Sequence, residues 1–117
     1  MPVGEHLRVG VSTHADVALV QLDGELDLAS APVLESRLEE PEVAGAATVV
    51  LDLREVQFID STGLRTIFAA RSSCRQRGQE LAVTRGSEQV QRLLSITRMG
   101  EQLRLIDTPE EILPTHG

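Results

Sequence analysis

The sequence predicts a single α/β domain in which helices pack against a mixed, mostly parallel β-sheet, and three observations support this. The chain has 117 residues, enough for one ordinary domain and too few for two. Strand-like apolar runs alternate with helical periodicity along the later part of the chain, which is typical of parallel strands joined by right-handed crossovers. The run Val49-Val50-Leu51 is apolar without alternation, as expected for a strand covered on both faces. The predicted order is β-β-α-β-α-β-α-β-α, in one domain over residues 1–117 with a core from about 7 to 113.

The first two strands are predicted to form a hairpin. Apolar alternation marks residues 7–11 and, more strongly, residues 17–22, while the polar residues 12–16 between them suit a turn. Residues 23–27 (Asp-Gly-Glu-Leu-Asp) are predicted to form a second turn that leads to a helix. Ser30 and Pro32 provide an N-cap hydroxyl and a first-turn proline for that helix, and Pro41 is expected to end it.

The clearest strand covers residues 46–53. A loop from Arg54 to Ile59 is expected to follow, with Val56 and Phe58 turned inward. A helix is then predicted from Ser61 to about Arg77, with Gly78 as its C-terminal stop.

The remaining chain continues the alternation of strand and helix. Residues 81–84 and 103–106 are predicted strands. Gly86-Ser87 is expected to open a helix that Gly100 ends, and a final short helix starts with a capping box between Thr108 and Glu111.

Composition excludes nucleic acid as the primary partner. The chain carries 11 basic and 18 acidic residues, a formal charge of −7, and only 2% of its residues are aromatic. An acidic surface repels phosphate backbones, and few aromatics are available to stack on bases. The charge suits a partner with a basic surface, or it serves solubility alone.

The chain is expected to be cytoplasmic, without membrane insertion. Residues 1–6 have neither the basic start nor the apolar run of a signal peptide, and no stretch approaches the roughly 20 apolar residues of a membrane span. Cys74 is the only cysteine, which fits a reducing compartment. It is interpreted as a structural or incidental thiol whose pKa the neighbouring Arg71 and Arg75 are able to lower.

Catalytic motifs are absent from the sequence. It contains no Gly-x-Gly-x-x-Gly and no phosphate-binding loop. The histidines at positions 6, 14 and 116 lie in predicted turns or termini, without metal-site spacing and without a position to activate a serine. We therefore predict no catalytic residue, no metal and no cofactor.

The segment Phe58-Ile59-Asp60-Ser61-Thr62-Gly63-Leu64 is the strongest candidate site. Either Asp60 or Ser61 suits the N-cap of the following helix, and Gly63 permits close packing. The adjacent hydroxyls of Ser61 and Thr62 are also placed to receive a phosphoryl group, which would meet free backbone N–H groups and the positive end of the helix dipole. The residues alone leave both interpretations open.

Several motifs in order resemble those of STAS domains, the sulfate transporter and anti-sigma factor antagonist family. Residues 49–53, followed by Val56 and residues 58–64, resemble the family signature. Residues 24–27 (Gly-Glu-Leu-Asp) with 31–34 (Ala-Pro-Val-Leu) resemble a second marker, that of bacterial anti-sigma factor antagonists, and residues 90–97 also match. The resemblance covers nearly the whole chain.

The resemblance implies a partner-switching mechanism. Family members bind an anti-sigma factor that is also a serine kinase of the GHKL type, and this binding releases the sigma factor. The kinase uses ATP and Mg²⁺ to phosphorylate the first hydroxyl residue after the motif aspartate, and a PP2C-type phosphatase reverses the modification. On this sequence the acceptor is Ser61, with Thr62 as the secondary candidate.

The resemblance also implies a partner-binding surface. It comprises eight residues in two segments: Gly24, Glu25 and Asp27, and Asp60, Ser61, Thr62, Gly63 and Arg65. Two departures from the family pattern concern partner choice, because Arg65 and the pair Arg98-Met99 stand where many members carry glycine. The oligomeric state stays open.

A second function fits the same fold. A STAS subunit associated with a transporter or a lipid-trafficking ATPase needs no phosphorylation. The intact Asp60-Ser61-Thr62-Gly63 sequence favours the switch, since an architectural domain has less need of an accessible hydroxyl there.

Overall fold

The computed structural model describes residues 6–114 and confirms a mixed α/β fold. Its sheet has five strands in the spatial order β1-β2-β3-β4-β5. The first pair is antiparallel and each later pair is parallel. The strands are β1 (Leu7–His14), β2 (Val17–Leu26), β3 (Thr48–Ile59), β4 (Glu80–Thr84) and β5 (Arg104–Ile106).

Four α-helices connect or flank these strands. They are α1 (Ala31–Leu38), α2 (Pro41–Ala44), α3 (Ser61–Gln76) and α4 (Glu88–Thr97). Short 3-10 helices at Met99–Gln102 and Pro109–Glu111 precede and follow β5. The predicted final helix is thus a single 3-10 turn, although its capping box between Thr108 and Glu111 is present as predicted.

The core lies mainly between the helices and one face of the sheet. Leu22, Leu51 and Leu53 are at most 1% exposed there, together with Leu34 of α1 and Ile67 of α3. The opposite face carries a smaller apolar cluster, formed by Val17, Leu19, Val50, Ala82 and Ile106 with Ile112 and Leu113 packed against it. The central strand β3 is therefore covered on both faces, as its apolar run predicted.

Two segments predicted as irregular are strand. The turn predicted at residues 23–27 is wrong because β2 continues to Leu26, and the loop predicted at residues 54–59 is wrong because β3 continues to Ile59. Pairing explains both, since Gly24 lies opposite Leu7 of β1 and Leu26 lies opposite Ile59. Register shifts near Asp23 and Gly24 accommodate the turn-forming residues within the strand.

The two apolar residues predicted to turn inward differ. Val56 is buried as expected, but Phe58 is 45% exposed. The prediction for Phe58 was wrong because the segment is an irregular strand. A register shift between Gly24 and Glu25 of β2 leaves Gln57 as an extra residue in β3, so Val56 and Ile59 are both buried and Phe58 is exposed.

Three local boundaries also differ. Only Ala15 and Asp16 separate β1 from β2, so the hairpin turn is shorter than predicted. Pro41 begins α2, a position that suits proline because the first helical turn needs no N–H there. The helix α4 ends at Thr97 with Arg98 in the left-handed conformation (φ 59°), and Gly100, the predicted stop, lies within the 3-10 helix.

Cys74 is buried in α3, and this burial raises the pKa of its thiol. The positive charge of Arg77 lowers the pKa of Cys74, but by less than burial raises it. The expectation that Arg71 and Arg75 lower this pKa was wrong, because desolvation of the thiolate dominates.

Candidate functional site

The candidate site lies where β2 and β3 end together. Leu26 and Ile59 are register partners at the carboxyl ends of two parallel strands. Asp27 and Asp60 follow them directly. The backbone N–H of Leu28 donates to Oδ2 of Asp60 at 3.2 Å, which joins the two segments.

Asp60 is the N-cap of α3. Its backbone is extended (φ −106°, ψ −176°), and its Oδ1 accepts from the N–H of Gly63 at 2.8 Å. The carbonyl of Asp60 accepts from Leu64 N at 3.0 Å. Because the aspartate supplies the cap, Ser61 is the first helical residue. Its hydroxyl is exposed, with no hydrogen-bond partner within residues 6–114.

Thr62 differs from Ser61 in its surroundings. Thr62 is half-buried, whereas Ser61 is exposed. The Nη2 of Arg65 donates to the Oγ1 of Thr62 at 3.4 Å. Its carbonyl accepts from the hydroxyl of Thr66 at 3.0 Å. Arg65 thus reaches back toward the helix start, and Ser61 is the more accessible of the two hydroxyls.

Gly63 allows α3 to rest directly on the ends of the two strands. A Cβ at this position would clash with the carbonyl oxygen of Leu26 and lie 2.9 Å from Cγ1 of Ile59. The close packing predicted at Gly63 is therefore confirmed.

The Gly24–Asp27 segment forms the last residues of β2 and the start of the following loop. Gly24 has φ +121°, and a Cβ there would clash with the carbonyl oxygen of His6. The N–H of Glu25 donates to that same carbonyl at 3.0 Å. Glu25 also lies opposite Phe58 in the register of β2 and β3.

Asp27 organises the loop through its carboxylate. Its Oδ1 accepts from the backbone N–H groups of Ala29 and Ser30, each at 3.0 Å. Nε2 of His6 lies 2.9 and 3.0 Å from the two carboxylate oxygens. This hydrogen bond lowers the pKa of Asp27 and raises the pKa of His6.

Ser30 occupies the N-cap position of α1, but its side chain does not cap that helix. The residue is fully buried, and its hydroxyl donates to the carbonyl of Glu25 at 2.7 Å and accepts from the N–H of Asp27 at 2.9 Å. The predicted side-chain cap was wrong because the hydroxyl fixes the preceding loop instead.

Gln89 of α4 supports the end of β3 just before Asp60, and no sequence pattern predicted this contact. Its Oε1 accepts from the N–H of Ile59 at 3.1 Å, and its Nε2 donates to the carbonyl of Ile59 at 3.3 Å. The side-chain amide thus pairs both backbone groups of the residue before Asp60. The contact exists because the fold brings the start of α4 next to the end of β3, an arrangement that only the structure shows.

Two exposed apolar side chains adjoin the site. Leu28 is 72% exposed and Phe58 is 45% exposed. Both line an open depression, whose other lining residues are Asp27, Ala29, Pro32 and Asp60. Leu28 falls outside any strand or helix periodicity, so no sequence pattern marked it.

The predicted site residues therefore meet at one end of the sheet. Asp27 and Asp60 are joined through Leu28, Gly63 contacts Leu26, and Arg65 reaches Thr62. Gly24 is set back from the start of α3. It lies within β2, where it pairs with Leu7 of β1 on one side and with Val56 of β3 on the other.

Residues 6–114 contain no group of three or more His, Cys, Asp or Glu side chains arranged to hold a metal ion. None of the helices in this range combines the length and apolarity that crossing a membrane requires. His14 ends β1 and bonds Ser12 at 3.1 Å, and His116 lies outside the described residues.

Comparison with known proteins identifies the family. Residues 8–112 match the family model of the STAS domain. The anti-sigma-B factor antagonist of Listeria monocytogenes is 32% identical over 112 residues, covering 96% of each chain. The crystal structure of an anti-sigma factor antagonist from Mycobacterium paratuberculosis superposes with a TM-score of 0.82 at 22% identity, over 95% of this chain and 94% of that one. The phosphorylated form of the Bacillus cell fate determinant SpoIIAA has the same fold, with a TM-score of 0.67 at 14% identity over 89% and 95% of the two chains. This chain belongs to the STAS domain family.

Proposed function

We propose that this chain is an anti-sigma factor antagonist that phosphorylation of Ser61 switches off. In its unmodified form it binds an anti-sigma factor that is also a GHKL-type serine kinase, and the sigma factor is released. Family membership and the Listeria relative support the class of function. The observation that carries the switch is the exposed, unbonded hydroxyl of Ser61 at the start of α3.

The serines at three helix starts show why Ser61 is the suitable acceptor. Ser30 is fully buried and holds the loop before α1. Ser87 caps α4 by accepting from the N–H of Val90 at 3.4 Å. Modifying either hydroxyl would disrupt an intramolecular contact, whereas modifying Ser61 disrupts none among the described residues.

The phosphoryl transfer is chemically simple. Oγ of Ser61 attacks the γ-phosphorus of ATP held with Mg²⁺ by the kinase. The bond from that phosphorus to the β–γ bridging oxygen breaks, ADP leaves, and the hydroxyl proton passes to a base on the kinase. A PP2C-type phosphatase reverses the modification, since water attacks the phosphorus, inorganic phosphate leaves and the serine hydroxyl is restored.

The folded chain itself tolerates the phosphate. Asp60 already accepts from the N–H of Gly63, but the N–H groups of Ser61 and Thr62, in the same first turn of α3, have no intrahelical acceptor and lie at the positive end of the helix dipole. Arg65 already reaches back to Thr62, so a guanidinium is available near the modified residue. We therefore expect phosphorylation to leave the fold intact.

The complex does not tolerate it. Ser61 must face the nucleotide phosphates of the kinase to be modified, and a phosphoserine adds about −1.5 to −2 charges there, beside Asp60. The single guanidinium of Arg65 offsets only part of this charge and that of Asp60, and a charge left buried and unpaired in an interface costs about 2–5 kcal/mol. That is a tens- to thousands-fold loss of affinity, which suffices to separate the partners without a large conformational change.

Phosphate mapping tests the acceptor. The chain is incubated in turn with each purified GHKL-type anti-sigma factor of its source organism, with ATP and MgCl₂, and analysed by tandem mass spectrometry. We expect one phosphate, on Ser61. Ser61→Ala should accept none and still bind the kinase, while Thr62→Ala and the control Ser87→Ala should be modified as wild type. Phosphate on another residue would refute the assignment.

A pull-down tests the class of function. An architectural STAS subunit of a transporter or lipid-trafficking ATPase needs no free hydroxyl at position 61. Recovery of a permease or transporter ATPase as the main partner, with no anti-sigma factor bound, would overturn the proposal.

A further inference from the structure

We propose that the Leu28–Phe58 patch, formed by Leu28, Ala29, Pro32 and Phe58, binds an apolar side chain of the anti-sigma factor that is flanked by basic residues. This inference rests on the proposed function. It assigns the anchoring of the complex to residues beside the acceptor serine, separate from the residue that switches it.

Exposure singles out the patch. Three large hydrophobic side chains are exposed in the described part of the chain: Leu28, Phe58 and Ile96. Two of these three line the same depression. Phe58 is also one of only two aromatic residues in the whole sequence. Single exposed apolar residues are common on protein surfaces, but adjacent ones mark interaction sites.

The backbone that presents Leu28 is fixed by hydrogen bonds. Its N–H donates to the carboxylate of Asp60, and the next N–H, that of Ala29, donates to the carboxylate of Asp27. Phe58 lies near the end of β3. The backbone of the next residue, Ile59, is hydrogen-bonded to the side-chain amide of Gln89. A site ordered before binding loses little conformational entropy on association, so its apolar area contributes more fully to affinity.

The position of the patch indicates the occupant. Asp60 both caps the helix that starts with Ser61 and bonds the backbone of Leu28. A kinase that reaches the Ser61 hydroxyl therefore also approaches Leu28. The patch is thus continuous with the surface that the proposed function assigns to the anti-sigma factor.

Charge defines the chemistry of that occupant. Asp27 and Asp60 are the charged residues that line the depression, and no Lys or Arg does. Glu25 lies opposite Phe58 in the sheet. Such a rim favours arginine or lysine beside the apolar side chain of the partner. It disfavours a second copy of this chain, which would bring the same carboxylates together at a net charge of −7 per chain.

Affinity measurements on unphosphorylated variants test the inference. Isothermal titration calorimetry uses the purified anti-sigma factor that phosphorylates Ser61. Leu28→Ala and Phe58→Ala should each weaken binding by about 10- to 100-fold, the effect typical of a central anchor. Leu28→Asp should weaken it further, because it places a carboxylate against the apolar side chain of the partner, where the charge loses its hydration. Ile96→Ala is the matched control, because Ile96 is 73% exposed on α4, outside the patch, and it should bind as wild type.

Thermal unfolding separates an affinity effect from a folding effect. Leu28 is largely exposed, so Leu28→Ala and Leu28→Asp should unfold near the wild-type temperature. Wild-type affinity in both variants, with the wild-type chain still binding, would overturn this inference and leave the proposed function standing. Absence of binding by the wild-type chain to every anti-sigma factor would contradict both.

Two further outcomes bear on the occupant. The wild-type affinity should fall as the NaCl concentration is raised, because salt screens the pairing between the acidic rim and basic residues of the partner. An affinity that does not depend on salt would overturn the claim that basic residues flank the apolar side chain. Sedimentation equilibrium should find no self-association of the wild-type chain through this patch. If the wild-type chain self-associates, Leu28→Ala abolishes that association, and the affinity of Leu28→Ala for the anti-sigma factor is unchanged, the occupant is a second copy and the proposal is wrong.

Discussion

The starts of α3 and α4 look alike in sequence but differ in which side chain forms the cap. Both helices follow a parallel strand, and both starts contain glycine and serine. At α4 the serine itself, Ser87, is the N-cap. At α3 the aspartate is the N-cap, and the serine lies one residue inside the helix with its hydroxyl exposed. A serine is therefore available for modification when another residue already satisfies the helix start.

The glycines at these two starts also have different roles. Gly86 has φ +75°, a backbone conformation that residues other than glycine adopt only at a cost in free energy. Gly63 has no such φ, but a Cβ there would clash with the backbone of Leu26. Gly86 is required first for its backbone angle, although a Cβ there would also lie 3.2 Å from the carbonyl oxygen of Leu53, whereas Gly63 is required only for the space it leaves.

The largest expected effect is therefore that of Gly63→Ala. The clash with a backbone oxygen cannot be relieved by rotating a side chain, so we expect a loss of about 2–4 kcal/mol in the free energy of unfolding, measured with urea. Gly86→Ala should lose about 1–2 kcal/mol from backbone strain. Gly10→Ala is the control, since a Cβ there meets nothing within 4 Å. Equal stability of Gly63→Ala and wild type would show that α3 does not rest on the strand ends.

The two caps should also differ in strength. Asp60 accepts from two backbone N–H groups, those of Gly63 at 2.8 Å and Leu28 at 3.2 Å, whereas the bond to Ser87 is 3.4 Å long. We expect Asp60→Ala to lose about 1–2 kcal/mol and Ser87→Ala about 0.5–1 kcal/mol. The same urea titration checks the order, and a larger loss for Ser87→Ala would contradict this account of the caps.

Local sequence was sufficient to predict the start of α3, because capping and turn chemistry involve adjacent residues. It could not choose between Asp60 and Ser61 as the cap, since both side chains accept hydrogen bonds and only the backbone geometry separates them. It also failed at residues 23–27 and 54–59, where polar turn-forming residues are held in strands by pairing with distant segments. The contact of Gln89 with Ile59 joins residues 30 apart and has no local signature.

Removing the amide of Gln89 should loosen the segment before the α3 cap. Gln89→Ala leaves both backbone groups of Ile59 without their side-chain partner, so we expect a loss of about 1 kcal/mol in stability. Hydrogen exchange at the Ile59 amide should become faster, while exchange at Val90, beside the α4 cap, should change little. Gln57→Ala, at an exposed position of β3, is the control. Unchanged exchange at Ile59 would contradict the positioning role of Gln89.

The smallest expected effect is on the dependence of stability on pH. The raised pKa of His6 contributes stability that is complete at low pH and is lost as pH rises through that pKa. The lowered pKa of Asp27 contributes stability that is lost as pH falls through it. The pair therefore stabilises the loop between these two pKa values. His6→Gln should flatten the alkaline side of this window in a series of thermal unfolding curves, whereas a curve parallel to wild type would show that the pair contributes nothing.

The most direct test compares the affinity of the anti-sigma factor for the unmodified chain and for the chain quantitatively phosphorylated at Ser61. The mechanism predicts a tens- to thousands-fold weaker complex for the phosphorylated chain, with both forms equally folded by circular dichroism. Equal affinities of the two forms would contradict the claim that the free hydroxyl at the start of α3 is the switch.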